Sequence, residues 1–324
     1  MMSANEAISI IVPYYNESST IQETLYSLYS QTYTPAEIVL VNSMSTDNSS
    51  VIVEDWIERN KNQTKIFFRN ITPGSCTPAS SKNAGVSIAI SELLAFMDCG
   101  QEFTNTWLAD QYSLLRLHGV DAVLGAIKLT GVNWIDRCAV AQTYGYRRLR
   151  YCVPGTLIRK SAFFESGQFI EGKRAGYDAV WLRSIKNGKF RLFYPQSPCI
   201  NYRGTNFSQT LKELFVKSFT YARPTIGLPG YVAPIIWAIL SLMVLLAIVL
   251  LPLVLPFILI LYVFLRVMLI PLFKAKSIAF FREHSVTASV GGGLVVAILI
   301  DTGRTIGIWF GIADQTFKQF KKLQ

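Results

Sequence analysis

Three short polar segments, each directly after an apolar run, carry the residues of this chain that could bind a ligand. They are residues 12–17 (VPYYNE), 42–47 (NSMSTD) and 98–100 (DCG). Together they offer carboxylates, amides and tyrosine rings, which can hydrogen-bond to a polar ligand or stack on it. Each segment alone is also explained by turn formation, because proline, asparagine, aspartate and glycine are ordinary loop residues. Their ordered combination favours a binding site.

The elements that must position these segments alternate between strand and helix. Apolar runs at 8–12, 37–41, 66–68 and 93–97 predict strands, and helices are predicted at about 18–30, from 51, and at 84–90. Such alternation indicates parallel crossovers and a doubly wound α/β sheet. Ligands of these sheets bind beyond the carboxyl ends of the strands, which is where the polar segments fall.

Composition places the second part of the chain in a membrane. Of the 324 residues, 51% are apolar and only 16% are charged, and the mean hydropathy is +0.31. A soluble domain usually has about 25% charged residues. The 42 residues between Arg223 and Arg266 carry no charge, and that length is enough for two membrane spans. These values exclude both an entirely soluble protein and a disordered chain.

An amphipathic helix and three apolar segments follow the α/β region. We predict a soluble domain over 1–205, an interfacial helix over 206–226 and a membrane domain over 227–324. Spans are predicted at about 231–251 and 253–272, with a third apolar segment at about 286–312. The amphipathic helix could instead dock on the soluble domain. Arg266 is interpreted as an inner membrane end, and a transporter or channel is disfavoured by the long α/β region.

The third apolar segment leaves two interpretations open. Asp301 and Arg304 interrupt it, and a spanning helix would place Lys318, Lys321 and Lys322 outside, against the positive-inside tendency. Either the segment is a re-entrant or steeply placed helix, or the tail departs from that tendency.

The net charge of +10 indicates where the protein resides. Residues 1–205 carry a net charge of +3 and residues 206–324 carry +7, so most of the surplus flanks the apolar tail. This pattern fits an anionic cytoplasmic leaflet, and we expect membrane lipids rather than nucleic acid as partners. We therefore expect a multi-pass protein of the cell (inner or plasma) membrane whose soluble domain is cytoplasmic. The scattered cysteines predict reduced thiols without a metal or disulfide framework: Cys76, Cys99, Cys138, Cys152 and Cys199.

In order and spacing, the motifs resemble those of the family 2 glycosyltransferases, which are inverting enzymes with the GT-A nucleotide-diphosphosugar fold. The resemblance covers about residues 1–223, and the apolar tail resembles that of membrane-attached members. The matching segments are VPYYNE at 12–17, VNSMSTDNS at 41–49, SKNAG at 81–85, FMDCG at 96–100, GYD at 176–178 and WLR at 181–183.

The resemblance implies a binding site for a nucleotide-diphosphosugar donor. Tyr15 would lie against the base, and Glu17 would accept a hydrogen bond from the base or the ribose. The family commonly has aspartate at the position of Asn42, so the base preference is open. Lys82 would lie near the diphosphate, or it is a solvated surface lysine. The implied donor-binding residues are Pro13, Tyr15, Glu17, Asn42, Asp47, Lys82, Asp98 and Gly100.

A divalent cation is also implied by the resemblance. In the commoner DxD motif the last aspartate ligates Mg²⁺ or Mn²⁺, but here that position is Gly100. Asp98 is left as the single ligand, although Mg²⁺ is often held by one or two carboxylates together with phosphates and water. We expect Mg²⁺ or Mn²⁺ bound by Asp98, with Glu102 as a substitute ligand.

Asp178 is the catalytic base that the resemblance implies, and a plain helix N-cap is the alternative. Trp181, Tyr202 and Arg203 are expected to bind the acceptor, while Tyr202 and Arg203 could equally anchor the chain at the lipid surface. The Q-x-x-R-W motif of processive family members is absent. We expect transfer of one sugar to a polyprenyl-linked phosphate or oligosaccharide in glycan or polysaccharide assembly.

A catalytically inactive membrane subunit that binds nucleotide sugars is the alternative. It is suggested by Asn42, Gly100 and Tyr177, which stand where the family has acidic residues.

Overall fold

The structure is a computed structural model that describes residues 6–74, 77–201, 210–230, 232–250 and 252–323. It divides into two compact units. The first consists of Met1–Lys128 and Leu149–Arg203, and the second of Leu129–Arg148 and Gly204–Gln324. Residues 129–148, which lie inside the soluble domain predicted over 1–205, thus group with the apolar C-terminal helices.

A mixed sheet forms the first unit. In the described part of the chain its strands are β1 (Ile8–Tyr14), β2 (Glu37–Asn42), β3 (Phe67–Ile71), β4 (Leu93–Phe96), β5 (Glu102–Phe103), β6 (Ala122–Lys128), β7 (Leu149–Arg159), β8 (Leu192–Phe193) and β9 (Ile200–Asn201). Their order is β3-β2-β1-β4-β7-β6-β9-β5, and β8 pairs with β6. β1 is parallel to β2 and β4, and β2 is parallel to β3, whereas β7 is antiparallel to β4 and β6. The predicted α/β fold is confirmed.

The parallel half of the sheet brings the three polar segments together. Tyr14 lies opposite Asn42 in the register of β1 with β2, and Phe96 at the end of β4 lies opposite Ile11. Because the carboxyl ends of parallel strands share one edge, the loops after β1, β2 and β4 meet at that edge.

Helices belong to both units. In the first unit they are α1 (Ile21–Tyr29), α2 (Ser49–Asn60), α3 (Pro78–Ile88), α4 (Trp107–His118), α6 (Lys160–Glu165) and α7 (Tyr177–Asn187); in the second they are α5 (Trp134–Thr143), α8 (Leu211–Ala222), α9 (Ala233–Leu250), α10 (Leu255–Val263), α11 (Ile270–Ala275), α12 (Ala279–Glu283) and α13 (Gly293–Leu323). The helix predicted over 84–90 begins earlier, at Pro78. Thr77 caps it by accepting from the Ser80 N–H at 3.3 Å, and proline suits the first helical position.

Three helical segments of the second unit are long and apolar enough to cross a membrane, considering only the described ranges. They are Ala233–Leu250, Leu255–Ala275 and Thr287–Phe317, one for each apolar segment of the sequence. The second is continuous through a π-helical stretch, Phe264–Leu269, that joins α10 to α11.

A buried ion pair lies between the second and third of these segments. Arg266 donates to both carboxylate oxygens of Asp301, from Nε at 2.6 Å and from Nη2 at 2.9 Å. Tyr262 donates to the same carboxylate at 3.0 Å. The interpretation of Arg266 as a membrane end is wrong, because the residue lies inside the second apolar helix and its charge is balanced within the bundle.

Helix α8 packs against three glycines of α13. A Cβ on Gly303 would lie 2.8 Å from the Phe215 carbonyl oxygen, and Cβ atoms on Gly307 and Gly311 would overlap the next carbonyls of the same face, those of Phe219 and Arg223. Small residues at every fourth position let two helix backbones approach closely. The partners advance by four residues in the same direction, so α8 runs lengthwise along α13. The interfacial position predicted for the amphipathic helix stays a prediction.

Candidate active site

Asp47 joins the loops that follow β1 and β2. Its carboxylate accepts from the Ser18 N–H and the Ser49 N–H, each at 3.0 Å, and from the Ser49 hydroxyl at 2.5 Å. Burial of the Asp47 carboxylate by itself would raise its pKa. The hydrogen bonds from Ser49 and Ser18 have the larger combined effect and hold the pKa well below its usual range. Asp47 therefore holds together the loops that follow β1 and β2 at the carboxyl edge of the sheet.

The two asparagines at this edge also organise the loops. Asn42 Oδ1 accepts from the Ser45 N–H at 2.7 Å, which turns the chain as it leaves β2. Asn16, with a φ of +53°, accepts from the Thr46 N–H at 2.8 Å. Asparagine is among the few residues other than glycine that tolerate such a left-handed conformation.

Tyr15 and Glu17 lie beside this junction. The Tyr15 ring is 45% exposed and is available for stacking, while Pro13 lies within β1 opposite Val41. Glu17 is half-buried and accepts from the Thr20 hydroxyl. Burial raises the pKa of Glu17, Thr20 opposes this, and the negative charges of Asp98 and Asp47 raise it further.

The SKNAG segment on α3 holds several parts of the site together. The Ser81 hydroxyl lies 2.7 Å from that of Ser43, just after β2. Asn83 donates to the Phe169 carbonyl at 2.8 Å and accepts from the Phe169 N–H at 3.1 Å. A Cβ on Gly85 would lie 2.6 Å from Ile11 Cγ2, so glycine is needed for α3 to approach the sheet.

Lys82 is the charged centre of this segment. It is only 1% exposed, and its Nζ donates to Asp98 Oδ1 at 2.6 Å and to the Tyr177 hydroxyl at 3.1 Å. Burial would lower the pKa of Lys82, but attraction to Asp98 outweighs it and raises the pKa. The alternative of a solvated surface lysine is wrong, because the side chain is enclosed and paired.

Asp98 remains accessible at the end of β4, with its side chain 35% exposed. Two residues later Gly100 has a φ of +76°, and its N–H donates to Thr24 Oγ1 at 3.1 Å. An aspartate at position 100 would therefore have to adopt the left-handed region, which glycine enters without strain. The conformation of this turn therefore explains why glycine occupies the position at which the DxD motif has its second aspartate.

Asp178 lies in the first turn of α7, and Gly176 occupies the cap position with a φ of +82°. The alternative of an Asp178 N-cap is therefore wrong. Its side chain is exposed and has no hydrogen bond or ion pair to any other residue in the described part of the chain. Burial raises the pKa of Tyr177, Lys82 opposes this, and the negative charges of Asp98 and Asp178 raise it further. Lys82 links the Tyr177 hydroxyl to Asp98, and Asp178 follows Tyr177 in the chain.

Residues 9–150 match the family described as Glycosyl transferase family 2. This segment is therefore similar to the domain shared by family 2 glycosyltransferases. It contains the loops after β1, β2 and β4 and the SKNAG segment.

Known proteins are similar to parts of this chain. An uncharacterized glycosyltransferase of Haemophilus influenzae is 32% identical over 108 residues, which cover 33% of this chain. The chain spans 42% of the length of that relative. Glycosyltransferase AglE of Haloferax volcanii is 23% identical over 66% of this chain and 73% of its own.

A solved structure extends the likeness in fold. The mannosyltransferase PcManGT of Pyrobaculum calidifontis, in complex with GDP-Man and Mn²⁺, has a TM-score of 0.50 and 18% identity. The likeness covers 98% of this chain and 88% of that one.

The residues expected to bind the acceptor have different positions. Trp181 is 2% exposed, and its ring packs among Phe96, Phe163 and Phe169 in the core of the first unit. An acceptor cannot contact a ring enclosed in this way, so we correct that assignment to a core residue. Tyr202 and Arg203 lie outside the described residues.

Two residues to which the sequence analysis gave no contact in the site lie within it. Asn83 ties the segment at 169–171 to α3, and the Tyr177 hydroxyl binds Lys82. Both lie inside motifs of the sequence, SKNAG and GYD. The sequence signal that could have identified them was their position next to Lys82 and Asp178.

Proposed function

We propose that the protein is a membrane-bound inverting glycosyltransferase that moves one sugar from a nucleotide-diphosphosugar to a membrane-associated acceptor. One observation carries the proposal: the carboxylate that Lys82 links to Tyr177 and the carboxylate next to Tyr177 in the chain have different surroundings. Asp98 is bound by the buried Lys82, whereas Asp178 is exposed and without a partner among the described residues. Two acids with different environments at one site are typical of divided roles in catalysis.

The donor would bind along the edge formed by the loops after β1, β2 and β4. Tyr15 would stack on the base, and Glu17 would accept a hydrogen bond from the base or the ribose. Asn42 and Asp47 would hold the loops that line this part. The diphosphate would then lie towards Asp98, whose negative charge is offset by the buried Lys82 beside it.

Asp98 fits a site for Mg²⁺ or Mn²⁺ that is completed by the substrate. One of its oxygens binds Lys82, and the partly exposed side chain leaves the other for a cation. The described ranges contain no group of three histidine, cysteine or acidic residues that could hold a metal alone. Phosphate oxygens and water would supply the remaining ligands, as is common for Mg²⁺. The cation, when bound, offsets negative charge on the leaving diphosphate.

Asp178 would act as the base of the transfer. It takes the proton of the acceptor hydroxyl while that oxygen forms a bond to the anomeric carbon. The bond from this carbon to the diphosphate oxygen breaks on the opposite face, so the configuration inverts. The electron pair of that bond leaves with the nucleoside diphosphate.

The acceptor would be a polyprenyl-linked phosphate or oligosaccharide at the cytoplasmic face of the cell membrane. Three helices of membrane-crossing length support a membrane location, and the surplus positive charge of residues 206–324 supports contact with anionic lipid headgroups. Tyr202 and Arg203 would face the acceptor phosphate. Without the Q-x-x-R-W motif, we propose a single, non-processive transfer.

The test begins with purified full-length protein in detergent and a thermal-shift screen of UDP-, GDP-, CMP- and dTDP-sugars. Transfer from a radiolabelled donor that stabilises the protein is then measured with polyprenyl phosphate as the acceptor probe. We expect Asp178→Asn to lower transfer by about 10²- to 10⁴-fold while the donor still stabilises the protein.

Asp110→Asn is the matched control, because Asp110 is also an exposed acid in the first turn of a helix, α4. It should transfer at the wild-type rate. Donor binding without any transfer by the wild type would favour the inactive binding subunit instead. Full transfer in excess EDTA would contradict the proposed cation.

A further inference from the structure

One buried ammonium group connects two parts of the proposed site. Lys82 Nζ donates to Asp98 Oδ1 at 2.6 Å and to Tyr177 Oη at 3.1 Å. Asp98 follows β4, and Tyr177 is the first residue of α7. The lysine therefore joins the strand end that carries the donor-site carboxylate to the helix that carries Asp178.

The Tyr177 hydroxyl is suited to hold this lysine without neutralising it. Burial raises the pKa of Tyr177 to about 12, so the hydroxyl stays protonated and neutral near pH 7. A buried ammonium needs acceptors for its three N–H donors. Asp98 supplies the opposite charge and Tyr177 supplies a neutral acceptor. The tyrosine ring is fixed in turn by Phe169, whose centroid lies 5.7 Å away, edge to face.

Asp178 has no such contact of its own. Its exposed side chain lacks a hydrogen bond or ion pair to the other described residues, so its position follows from the backbone of the first turn of α7. That turn begins after Gly176 in a left-handed conformation. Tyr177 is the buried side chain of the turn nearest to Asp178 and is hydrogen-bonded to α3.

A second tie from α3 holds the other end of the same segment. Asn83 contacts the backbone of Phe169 at 2.8 and 3.1 Å and the Glu171 carboxylate at 3.0 Å. Lys82 and Asn83 are consecutive, so one turn of α3 fixes residues 169–177 at both ends. Of the two ties, the one through Tyr177 acts directly beside the base.

We propose that Tyr177 is a positioning residue, which acts through Lys82 to hold Asp178 where it receives the acceptor proton. The inference rests on the proposed function, in which Asp178 is the base. A displacement of about 1 Å can cost about 10²-fold in rate when a reacting group is misplaced. Loss of the hydroxyl should therefore slow the chemical step and leave donor binding intact.

Tyr177→Phe tests this, because it removes the hydroxyl and keeps the ring. In full-length protein, with the stabilising nucleotide sugar as donor and polyprenyl phosphate as acceptor, we expect kcat to fall by about 10- to 100-fold. The donor KM and the thermal shift that the donor produces should stay within about twofold of wild type. Tyr33→Phe is the matched control: the Tyr33 hydroxyl binds the Glu6 carbonyl, away from these contacts, and kcat should not change.

A double-mutant cycle tests whether Tyr177 acts through the lysine. In a Lys82→Met background the tyrosine change should alter kcat by less than about twofold, since coupled residues are not additive. A wild-type kcat for Tyr177→Phe, an equal loss of kcat and donor binding, or full additivity with Lys82→Met would each overturn the inference.

Asp178→Asn separates this failure from failure of the proposed function. If that variant is inactive and Tyr177→Phe is fully active, only the inference fails. If Asp178→Asn transfers like wild type, or the wild type transfers nothing, the proposed function fails and the inference with it.

Discussion

Replacement of Arg266 by methionine should destabilise the helical bundle of the second unit by several kcal/mol. Arg266 and Asp301 are only 7% and 9% exposed, and the arginine supplies two of the hydrogen bonds to that carboxylate, at 2.6 and 2.9 Å. Methionine keeps most of the length and leaves a buried negative charge with Tyr262 as its remaining close donor. Breaking a buried pair on one side costs about 3–5 kcal/mol. Arg304 Nη1, 3.9 Å from Asp301, offsets part of this, so we expect about 3 kcal/mol.

Arg223→Met is a matched control, because the aspartate partners of both arginines lie on α13. Arg223 also binds an aspartate of α13 with two hydrogen bonds, to Asp314 at 2.7 and 3.0 Å, but these side chains are 44% and 42% exposed. Solvent screens an exposed pair, so Arg223→Met should cost far less than Arg266→Met. The geometry is the same in both pairs, and burial is the variable that differs.

The assay is equilibrium unfolding of the full-length protein in mixed micelles, followed by tryptophan fluorescence. Arg266→Met combined with Asp301→Asn should recover most of the lost free energy, because the second change removes the unpaired charge. Equal losses for Arg266→Met and Arg223→Met would refute the reasoning from burial. So would a double variant that is no more stable than Arg266→Met alone.

Two further predictions concern packing and pH. Gly307→Ala places a Cβ against the Phe219 carbonyl oxygen and should cost about 1–3 kcal/mol in the same unfolding assay. Gly291→Ala has open space around its Cβ in a helical segment, so it should not lower stability. For Asp47, whose folded pKa is lowered, the stabilisation is fully present above the unfolded pKa of about 3.9 and is lost as the pH falls below it. The difference in Tm between wild type and Asp47→Asn should therefore be constant from about pH 5 to 7 and shrink towards pH 3; a difference that grows on acidification would contradict the sign.

The sheet and its loops were predictable because their signals are local. Apolar runs of a few residues located β1, β2, β3 and β4 to within a few residues, and the polar segments after three of them do meet at one edge. The helix around Lys82 was placed too late, since its start depends on the cap at Thr77 and not on apolar periodicity.

Other features depend on contacts between distant residues. Lys82 and Tyr177 are 95 positions apart, so the sequence could not distinguish a buried lysine from a solvated one. Trp181 was read from its motif, while its burial follows from three phenylalanines on separate segments. Arg266 likewise pairs with a residue 35 positions later, and only the helix packing brings them together.

Gly100 and Tyr177 stand where the family has acidic residues, but these differences do not favour a protein that binds nucleotide sugars without catalysis. Lys82 needs one negative partner, and Asp98 supplies it; with the neutral Tyr177 as the second acceptor, the buried group has no net charge. A second carboxylate in place of Tyr177 would give this group a negative charge close to Asp178. The φ of +76° at Gly100 also explains why this position is glycine, and that explanation does not depend on catalysis. Asp178 is then left as an exposed carboxylate without a counterion among the described residues, and an acceptor hydroxyl can reach it in the role proposed above.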